Sequence, residues 1–154
     1  MGSTEMRGLE VARYIVNLCL KHGRPVSNLR MQKIMYLAHV YYITKQNKPL
    51  IKDDFEAWNI GPIIPEVYWE YSIYASAPII PFYKEDADID SEKIKVVEKL
   101  IINLSAKKPW TLVELTHLKD GAWDRTYRNG QGNREVIPLT RIYEEAGMEL
   151  SRDG

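Results

Sequence analysis

Histidine and cysteine are the residues of this sequence best suited to metal binding or catalysis, and they are scattered along the chain. A zinc site needs three or four converging cysteine, histidine or carboxylate ligands. The sequence holds one cysteine, Cys19, and three histidines, His22, His39 and His117. It contains no phosphate-binding glycine loop, dinucleotide-binding glycine motif or nucleophile elbow. We therefore expect no metal site, no cofactor and no enzymatic activity.

His117 is the residue around which a catalytic site would be built if there were one. Asp120 and Arg125 follow it closely, so a base, a carboxylate and a guanidinium could converge there. A general base also requires a nucleophile and an orienting partner within hydrogen-bonding reach, and the sequence offers no evident third member. The pattern favours a packed or hydrogen-bonded His117, and an enzyme built on these residues stays an alternative hypothesis.

Arginines recur in the segment 125–134, which also contains glycines. Arg125, Arg128 and Arg134 could bind phosphates from such a loop. However, acidic neighbours dilute their charge, and 21 basic against 21 acidic residues give the chain a net charge of 0. Long-range attraction of nucleic acid is therefore absent. DNA binding, for example as an autorepressor with this loop as a wing, is a second alternative and is not the expected function.

Aromatic residues crowd the stretch EAWNIGPIIPEVYWEY at 56–71 and the turn that follows it. They are Trp58, Tyr68, Trp69, Tyr71 and Tyr74. One short strand and one short helix cannot bury all of these rings, so some must be partly exposed. Exposed Trp and Tyr are typical of protein-binding hot spots. Rings at the edge of the core with their polar atoms in water explain the pattern equally well.

Length and composition describe one globular domain. The 154 residues are 45% hydrophobic and 27% charged, which is close to an average folded protein. A single cysteine and the lack of a long apolar run predict a soluble, cytoplasmic protein without a membrane span. We interpret residues 1–7 as a tail, whose first three residues have the composition of an expression scar, and 8–150 as the domain.

Hydrophobic periodicity predicts a mainly α fold with a minor β-hairpin or short strands. Helices are expected over 9–22, 28–46, 66–75, from 91 onward, over 112–119 and over 138–146. The segment 28–46 is apolar around most of its circumference, which predicts a buried central helix. An extended segment over 53–61 should end in a turn at Gly61-Pro62.

Local signals predict where the later helices begin and end. Thr111 and Glu114 have the spacing of a capping box, and Trp110 and Leu115 that of a hydrophobic staple. Both would start a helix at about residue 112. Gly147 is expected to end the last helix.

Several ordered blocks of the sequence resemble one known family. They are MQKIMYLA at 31–38, KPL at 48–50, EAWNIGPIIPEVY at 56–68, and LTH at 115–117 followed by Trp123. This order resembles the signature of the Panacea, or SocA-like, domain, over about residues 8–145. The sequence departs from the family pattern at Ala122, where a proline usually precedes the tryptophan.

The resemblance implies a bacterial or prophage antitoxin that binds a cognate toxin directly. In the SocA type it also implies delivery of the toxin to the ClpXP protease. No enzymatic activity or cofactor is established for the family. The residues that match the family motif are expected to be architectural: Gln32, Lys33, Tyr36, Trp58, Gly61, Pro62, His117 and Trp123. For partner binding, the resemblance favours a more exposed set, namely Trp69, Tyr71 and Tyr74.

Overall fold

A computed structural model describes residues 5–81, 83 and 89–153, with side chains as far as residue 148. Its α-helices are α1 (Gly8–Lys21), α2 (Asn28–Gln46), α3 (Pro65–Glu70), α4 (Ser91–Ser105), α5 (Pro109–Thr116), α6 (Ala122–Tyr127) and α7 (Leu139–Asp153). The strands are β1 (Glu56–Trp58), β2 (Gly61–Ile63) and β3 (Glu135–Val136), and 3₁₀ turns occur at Ser72–Tyr74 and Arg128–Gly130. The predicted fold class, mainly α with a minor sheet, is confirmed.

α2 is the centre of the fold and spans the residues that its sequence pattern predicts. It begins after Ser27, whose Oγ accepts a hydrogen bond of 3.2 Å from the backbone N–H of Arg30. It ends at Asn47, whose left-handed φ of 55° stops the helix. Helices α1, α4, α5 and α7 all pack against it. A helix surrounded in this way has no broad solvent-facing stripe, which explains its nearly uniform apolarity.

Buried polar side chains in the first half of α2 hold the hairpin side of the molecule. The side-chain oxygen Oε1 of Gln32 accepts a hydrogen bond of 3.2 Å from the backbone N–H of Ile64, where β2 leads into α3. The Lys33 ammonium donates one of 3.0 Å to the carbonyl of Ile60, in the turn between β1 and β2. Burying such groups is costly unless they are paired, so these bonds fix the hairpin against α2.

Two more buried polar side chains, further along α2, hold other segments. The Tyr36 hydroxyl donates a 2.9 Å hydrogen bond to Glu145 of α7, and the same carboxylate oxygen accepts one of 2.8 Å from the N–H of Ala122 in α6. His39 Nδ1 accepts a 3.3 Å hydrogen bond from the N–H of Ile51. Burial lowers the pKa of His39 to about 3, so its ring is neutral and free to accept this bond.

The described strands form a three-stranded antiparallel sheet in the order β2-β1-β3. Trp58 pairs with Gly61, so the tight turn consists of residues 59–60. The predicted turn at Gly61-Pro62 is therefore wrong by two residues, because these residues belong to β2. Pro62 is tolerated there because β2 is an edge strand, where a missing N–H breaks no ladder. β3 was not predicted.

The segment predicted as a tail is attached to the domain at Met6. Residues 1–4 lie outside the described part of the chain. Met6 is buried and forms a parallel bridge with Ile51, with hydrogen bonds of 2.8 and 2.9 Å to the backbone on either side of that residue.

The predicted start of α5 is wrong. The helix begins at Pro109, after Lys108 as N-cap, and no side chain caps it. Thr111 is then inside the first turn and cannot form a capping box. Trp110 is 70% exposed and Leu115 is also exposed, so they do not form a staple. Pro at the first helical position has the correct fixed φ and needs no N–H partner, which explains the earlier start.

The predicted end of α7 is also wrong. The helix continues through Gly147 to Asp153. A glycine lowers helix propensity by only about 1 kcal/mol, which packing of a helix against its neighbours readily outweighs. No helix in the described part of the chain has the length and apolarity that crossing a bilayer requires.

Substitution of the N-cap of α2 and of the residue expected to cap α5 tests where these two helices begin. Ser27→Ala removes the bond to the N–H of Arg30 and should lower the free energy of unfolding by about 1 kcal/mol. Thr111→Ala is the matched control, because it alters a residue of the same size class that caps nothing. It should change stability by less than about 0.5 kcal/mol in urea unfolding. Equal losses from both changes would contradict the helix starts described above.

Candidate functional site

The β-hairpin fixes Trp58 at the base of an aromatic surface. The Trp58 side chain is only 6% exposed, and its indole N–H donates a 2.9 Å hydrogen bond to Glu56. Its backbone carbonyl accepts one of 2.8 Å from the indole N–H of Trp123 in α6. Both the ring and the strand that carries it are therefore fixed in position.

Three rings form what we call the aromatic surface: Trp58, Tyr68 and Trp69. Their centroids are 5.1 Å apart for Trp58 and Tyr68, 5.3 Å for Tyr68 and Trp69, and 6.4 Å for Trp58 and Trp69. These separations and the tilted or edge-on orientations are those that aromatic quadrupoles favour. The guanidinium of Arg134 lies 4.3 Å from the Trp58 centroid, in cation–π contact.

Exposure rises across the aromatic surface from its base to its edge. Trp58 is buried, Tyr68 is partly buried and Trp69 is 59% exposed. Trp69 stands on α3, which begins at Pro65 with Glu66 in its first turn, near the positive end of the helix dipole. The outer indole is thus a large apolar group that solvent reaches but that two inner rings support.

A second set of rings, the indole stack, lies behind the hairpin. Trp123 stacks on His117 at 4.0 Å and on Tyr127 at 4.8 Å, with small interplanar angles. Trp123 is nearly buried, and its hydrogen bond to the Trp58 carbonyl joins the indole stack to the aromatic surface. His117 therefore has a packing role in this structure.

Gly61 allows the hairpin to approach this stack closely. Its φ of 120° disfavours a side chain, and a Cβ there would lie 3.3 Å from His117 Nε2 and 3.9 Å from the Lys33 ammonium. Among the described residues, His117 Nε2 is buried with no partner of hydrogen-bonding geometry. Glycine at position 61 leaves room for both of these nitrogen-bearing side chains beneath the turn.

Burial lowers the pKa of both nitrogen-bearing side chains at this position. For Lys33 burial alone is the cause. For His117 burial is the largest cause and the neighbouring Lys33 charge the second, while the Ile60 backbone and Asp124 act in the opposite direction. A neutral His117 is consequently favoured near neutral pH, beside a lysine that the Ile60 carbonyl holds.

The residues of the hypothetical catalytic group are engaged elsewhere. Arg125 forms an exposed 3.1 Å ion pair with Glu144 of α7. The backbone N–H of Asp120 donates to the Asp124 carboxylate, and Asp120 itself is exposed. A cleft of about 760 Å³ between α1 and α4 and one of about 100 Å³ beside Pro49 are lined by neither His117 nor these residues. No three metal-ligating side chains gather within the described residues.

The loop proposed for DNA contact also has its arginines engaged within the protein. Arg128 forms a 3.0 Å ion pair with Glu135, and Arg125 is paired with Glu144. Arg134 covers the Trp58 ring. These contacts direct the charges toward the protein's own carboxylates and aromatic groups.

The expected exposure of Tyr71 is wrong. Trp69 is exposed and Tyr74 is partly exposed, but Tyr71 is 1% exposed and packs against the rings of Tyr74 and Tyr83. The sequence held a signal for this outcome. Val67, which is buried, precedes Tyr71 by four residues, and residues four apart share a helix face.

The structure places most of the residues expected to be architectural in the core. Gln32, Lys33, Tyr36, Trp58, Gly61, Pro62 and Trp123 are buried, and His117 is half-buried. Sequence reasoning missed Glu145, a buried carboxylate on α7, and the exposed Ile73 and Trp110. Helical spacings of three or four residues cannot reveal that this carboxylate is paired and buried, because its partners Tyr36 and Ala122 are distant in the chain.

Comparison with known proteins identifies the family. The chain matches the antitoxin SocA-like, Panacea domain over residues 31–124. It is 30% identical over 147 residues to the protein named Antitoxin SocA from Caulobacter vibrioides (strain NA1000 / CB15N), covering 83% of this chain and 76% of that protein. No solved structure matches the chain. The protein belongs to the SocA-like Panacea domain family, as its sequence blocks indicate.

The titration of His117 tests the electrostatics of this site. Its pKa should lie below the usual 6.5, so the unfolded chain takes up a proton at a higher pH than the folded protein does. The His117 contribution to stability is therefore present above pH 6.5 and is lost as the pH falls from there toward the folded pKa. NMR titration of the ring protons measures this value.

Lys33→Met separates the two causes of the shift. Removing the charge should raise the pKa of His117 part of the way toward 6.5, because burial, the larger cause, is unchanged. A pKa that does not move in this variant would rule out the lysine charge as a cause. A full return to 6.5 would show that burial contributes little.

Proposed function

We propose that this protein is an antitoxin that neutralises a toxin by direct contact, within the cytoplasm. Membership of the SocA-like family and the name of its Caulobacter relative support an antitoxin role. The observation that carries the contact mode is the aromatic surface, where an exposed Trp69 rests on the fixed rings of Tyr68 and Trp58.

The physical properties of Trp69 suit a binding hot spot. Its indole offers a large apolar area and a hydrogen-bond donor at one position. Because Tyr68 and Trp58 support the ring, ordering it upon binding costs less side-chain entropy than ordering an unsupported chain. Tyr74 is partly exposed and lies 6.3 Å from the buried Tyr71 ring, so it is a second candidate contact residue.

We also propose that the protein acts without catalysis. The engagement of Arg125 with Glu144 and the stacking of His117 on Trp123 support this, because a base and its partners must converge on one substrate position. DNA binding has weaker support. A wing that binds phosphates needs cations directed outward, and the loop arginines are paired within the protein.

The test is rescue from toxicity by co-expression. Each gene adjacent to this one is expressed alone and with this protein, and growth is measured. Wild type should restore growth against one adjacent product. Trp69→Ala should restore it less well, because the affinity of the variant for that product should be about 30-fold lower, the effect of losing a typical hot spot. Leu139→Ala, an exposed apolar change on α7, is the control and should rescue normally.

Tyr71→Ala cannot test partner contact in the way that Trp69→Ala does. Because Tyr71 is buried, Tyr71→Ala should reduce rescue by unfolding the protein and does not report on contact.

Absence of rescue by wild type against every adjacent product would contradict the antitoxin role. Rescue accompanied by a shortened toxin half-life that depends on ClpXP would add delivery to a protease, whereas an unchanged half-life would indicate masking alone.

A further inference from the structure

An exposed face runs along α3 and the 3₁₀ turn that follows it. Hydrogen bonds between residues three or four apart continue from Ile64 to Ala75, so the backbone keeps a helical path across this junction. Residues at these spacings share one face of such a path. We call the outer face the α3 ridge; its members, all exposed, are Glu66, Trp69, Glu70 and Ile73.

The opposite face of the same path packs into the protein. Val67 and Tyr71, which are four residues apart, are both buried. The carbonyl of Tyr68 accepts a 3.0 Å hydrogen bond from the side-chain amide of Asn28, at the start of α2. With its inner face fixed in this way, the path turns Trp69 and Ile73 outward, and these side chains are 59% and 85% exposed.

A strained turn closes the segment that follows the α3 ridge. Ala75 has a φ of 49°, a left-handed value that few non-glycine residues adopt. The turn is held by a 2.9 Å hydrogen bond from the N–H of Ala77 to the Tyr74 carbonyl, and the N–H of Ile79 bonds the Val26 carbonyl at 2.8 Å. Strain of this kind is frequent at functional sites. The ridge therefore lies between two fixed ends, which lowers the entropy cost of binding a partner.

The α3 ridge belongs to an acidic part of a chain that has no net charge. Residues 53–83 include five acidic residues and no lysine, arginine or histidine, although the whole chain has 21 basic and 21 acidic residues. Three of the five precede β1 or lie in it, and the other two are Glu66 and Glu70. Within the described part of the chain neither of these two forms an ion pair. The ridge itself therefore carries carboxylates and no cation.

Arginines on neighbouring elements are engaged with rings or carbonyls. Arg134 lies 4.3 Å from the centroid of Trp58, and Arg13 lies 5.5 Å from that of Tyr83. Arg30, near the start of α2, donates to carbonyls at the junction of α4 and α5. Among the described residues, none of these arginines forms an ion pair with a ridge carboxylate. The two carboxylates are thus available to cations of a partner.

We propose that the α3 ridge binds a basic, amphipathic segment of the toxin. Apolar side chains of that segment pack on Trp69 and Ile73, and its lysine or arginine side chains face Glu66 and Glu70. The proposal rests on the proposed function and adds the chemistry of the partner, with Ile73 and the two carboxylates as further contact residues. Complementary charge of this kind selects partners and accelerates association.

A basic protein segment fits the α3 ridge better than nucleic acid or an anionic membrane does. Nucleic-acid binding gains most of its affinity from lysine and arginine contacts to phosphates, and the ridge has neither residue. Its carboxylates repel the phosphates of both nucleic acid and lipid headgroups. Two large apolar side chains four residues apart have the spacing through which a helical segment packs on an apolar partner surface.

The first experiment determines the chemistry of the partner without the toxin. The full chain is immobilised and used to select from a displayed library of random peptides of about 16 residues, long enough for roughly four helical turns. We expect the recovered peptides to be rich in lysine, arginine and large apolar residues. Their rate of association with the protein should fall as salt is added, because salt screens exposed charges.

Variants of the α3 ridge test whether these peptides bind there. Ile73→Ala should lower the affinity for the recovered peptides by about tenfold, because it removes an exposed apolar contact. Glu66→Lys should slow their association by about fivefold at low salt and reduce its dependence on salt, because it reverses a charge that the peptides approach.

Each of these changes has a matched control. Glu92→Lys matches Glu66→Lys, because both glutamates are exposed and lie in the first turn of a helix. Glu92 starts α4, about 20 Å along that helix from the end that Arg30 holds beside the start of α2. Leu139→Ala matches Ile73→Ala, because it removes an exposed apolar side chain from α7. Both controls should bind the peptides like wild type.

Several outcomes would overturn the proposal. They are recovery of no peptide, recovery of acidic or uncharged peptides, unchanged affinity in Ile73→Ala, and equal effects of Glu66→Lys and Glu92→Lys. Binding of duplex DNA or phosphatidylserine vesicles that the ridge variants abolish, without recovery of peptides, would overturn it in favour of those partners.

The rescue assay separates failure of the α3 ridge from failure of the antitoxin function. If wild type neutralises no adjacent product, the proposed function fails, whatever peptides the ridge selects. If wild type neutralises a toxin and a variant combining Ile73→Ala with Glu66→Lys neutralises it equally well, the antitoxin function stands and the proposal for the ridge fails. Thermal unfolding of this variant, compared with Glu92→Lys, distinguishes loss of contact from loss of fold.

Discussion

The buried polar side chains of α2 are the constraint on which the rest of the structure depends. A helix enclosed by four others would be stable with an entirely apolar surface, but this one carries Gln32, Lys33, Tyr36 and His39 inside. Each of them bonds a different segment: the β2–α3 junction, the hairpin turn, α7, and the chain after α2. Because an unpaired buried polar group is costly, each neighbour has one favoured position, and the fold is specified more narrowly than hydrophobic contact alone would achieve.

The same arrangement divides the aromatic residues into a buried, supporting group and an exposed group. Trp58 and Trp123 are fixed by hydrogen bonds between hairpin and helix, and they present no large surface to solvent. Trp69 extends from this base on α3 and is 59% exposed. A family whose shared residues build the base can vary the outer residues without rebuilding the fold, which is what a binding scaffold requires.

Much of the fold could be predicted from the sequence where periodicity is long and local. α2 and α4 are examples, because their apolar positions and caps lie within the helix itself. β3 could not be predicted, since its two residues are strand only through pairing with β1. The start of α5 was misplaced because two competing local signals, a proline and a capping box, favour different residues. Of the site, the buried motif residues could be placed from resemblance. The role of Glu145 could not, because its partners Tyr36 and Ala122 meet it only in three dimensions.

Glu145 makes the last helix, α7, a structural support for elements far from it in the chain. Its carboxylate bonds both Tyr36 of the central helix and the first residue of α6, the helix that carries Trp123. A chain without α7 would leave a buried tyrosine hydroxyl and the first N–H of α6 without their acceptor. Because Trp123 of α6 also bonds the Trp58 carbonyl, the last helix of the chain supports the hairpin from a distance, through two hydrogen-bonded steps.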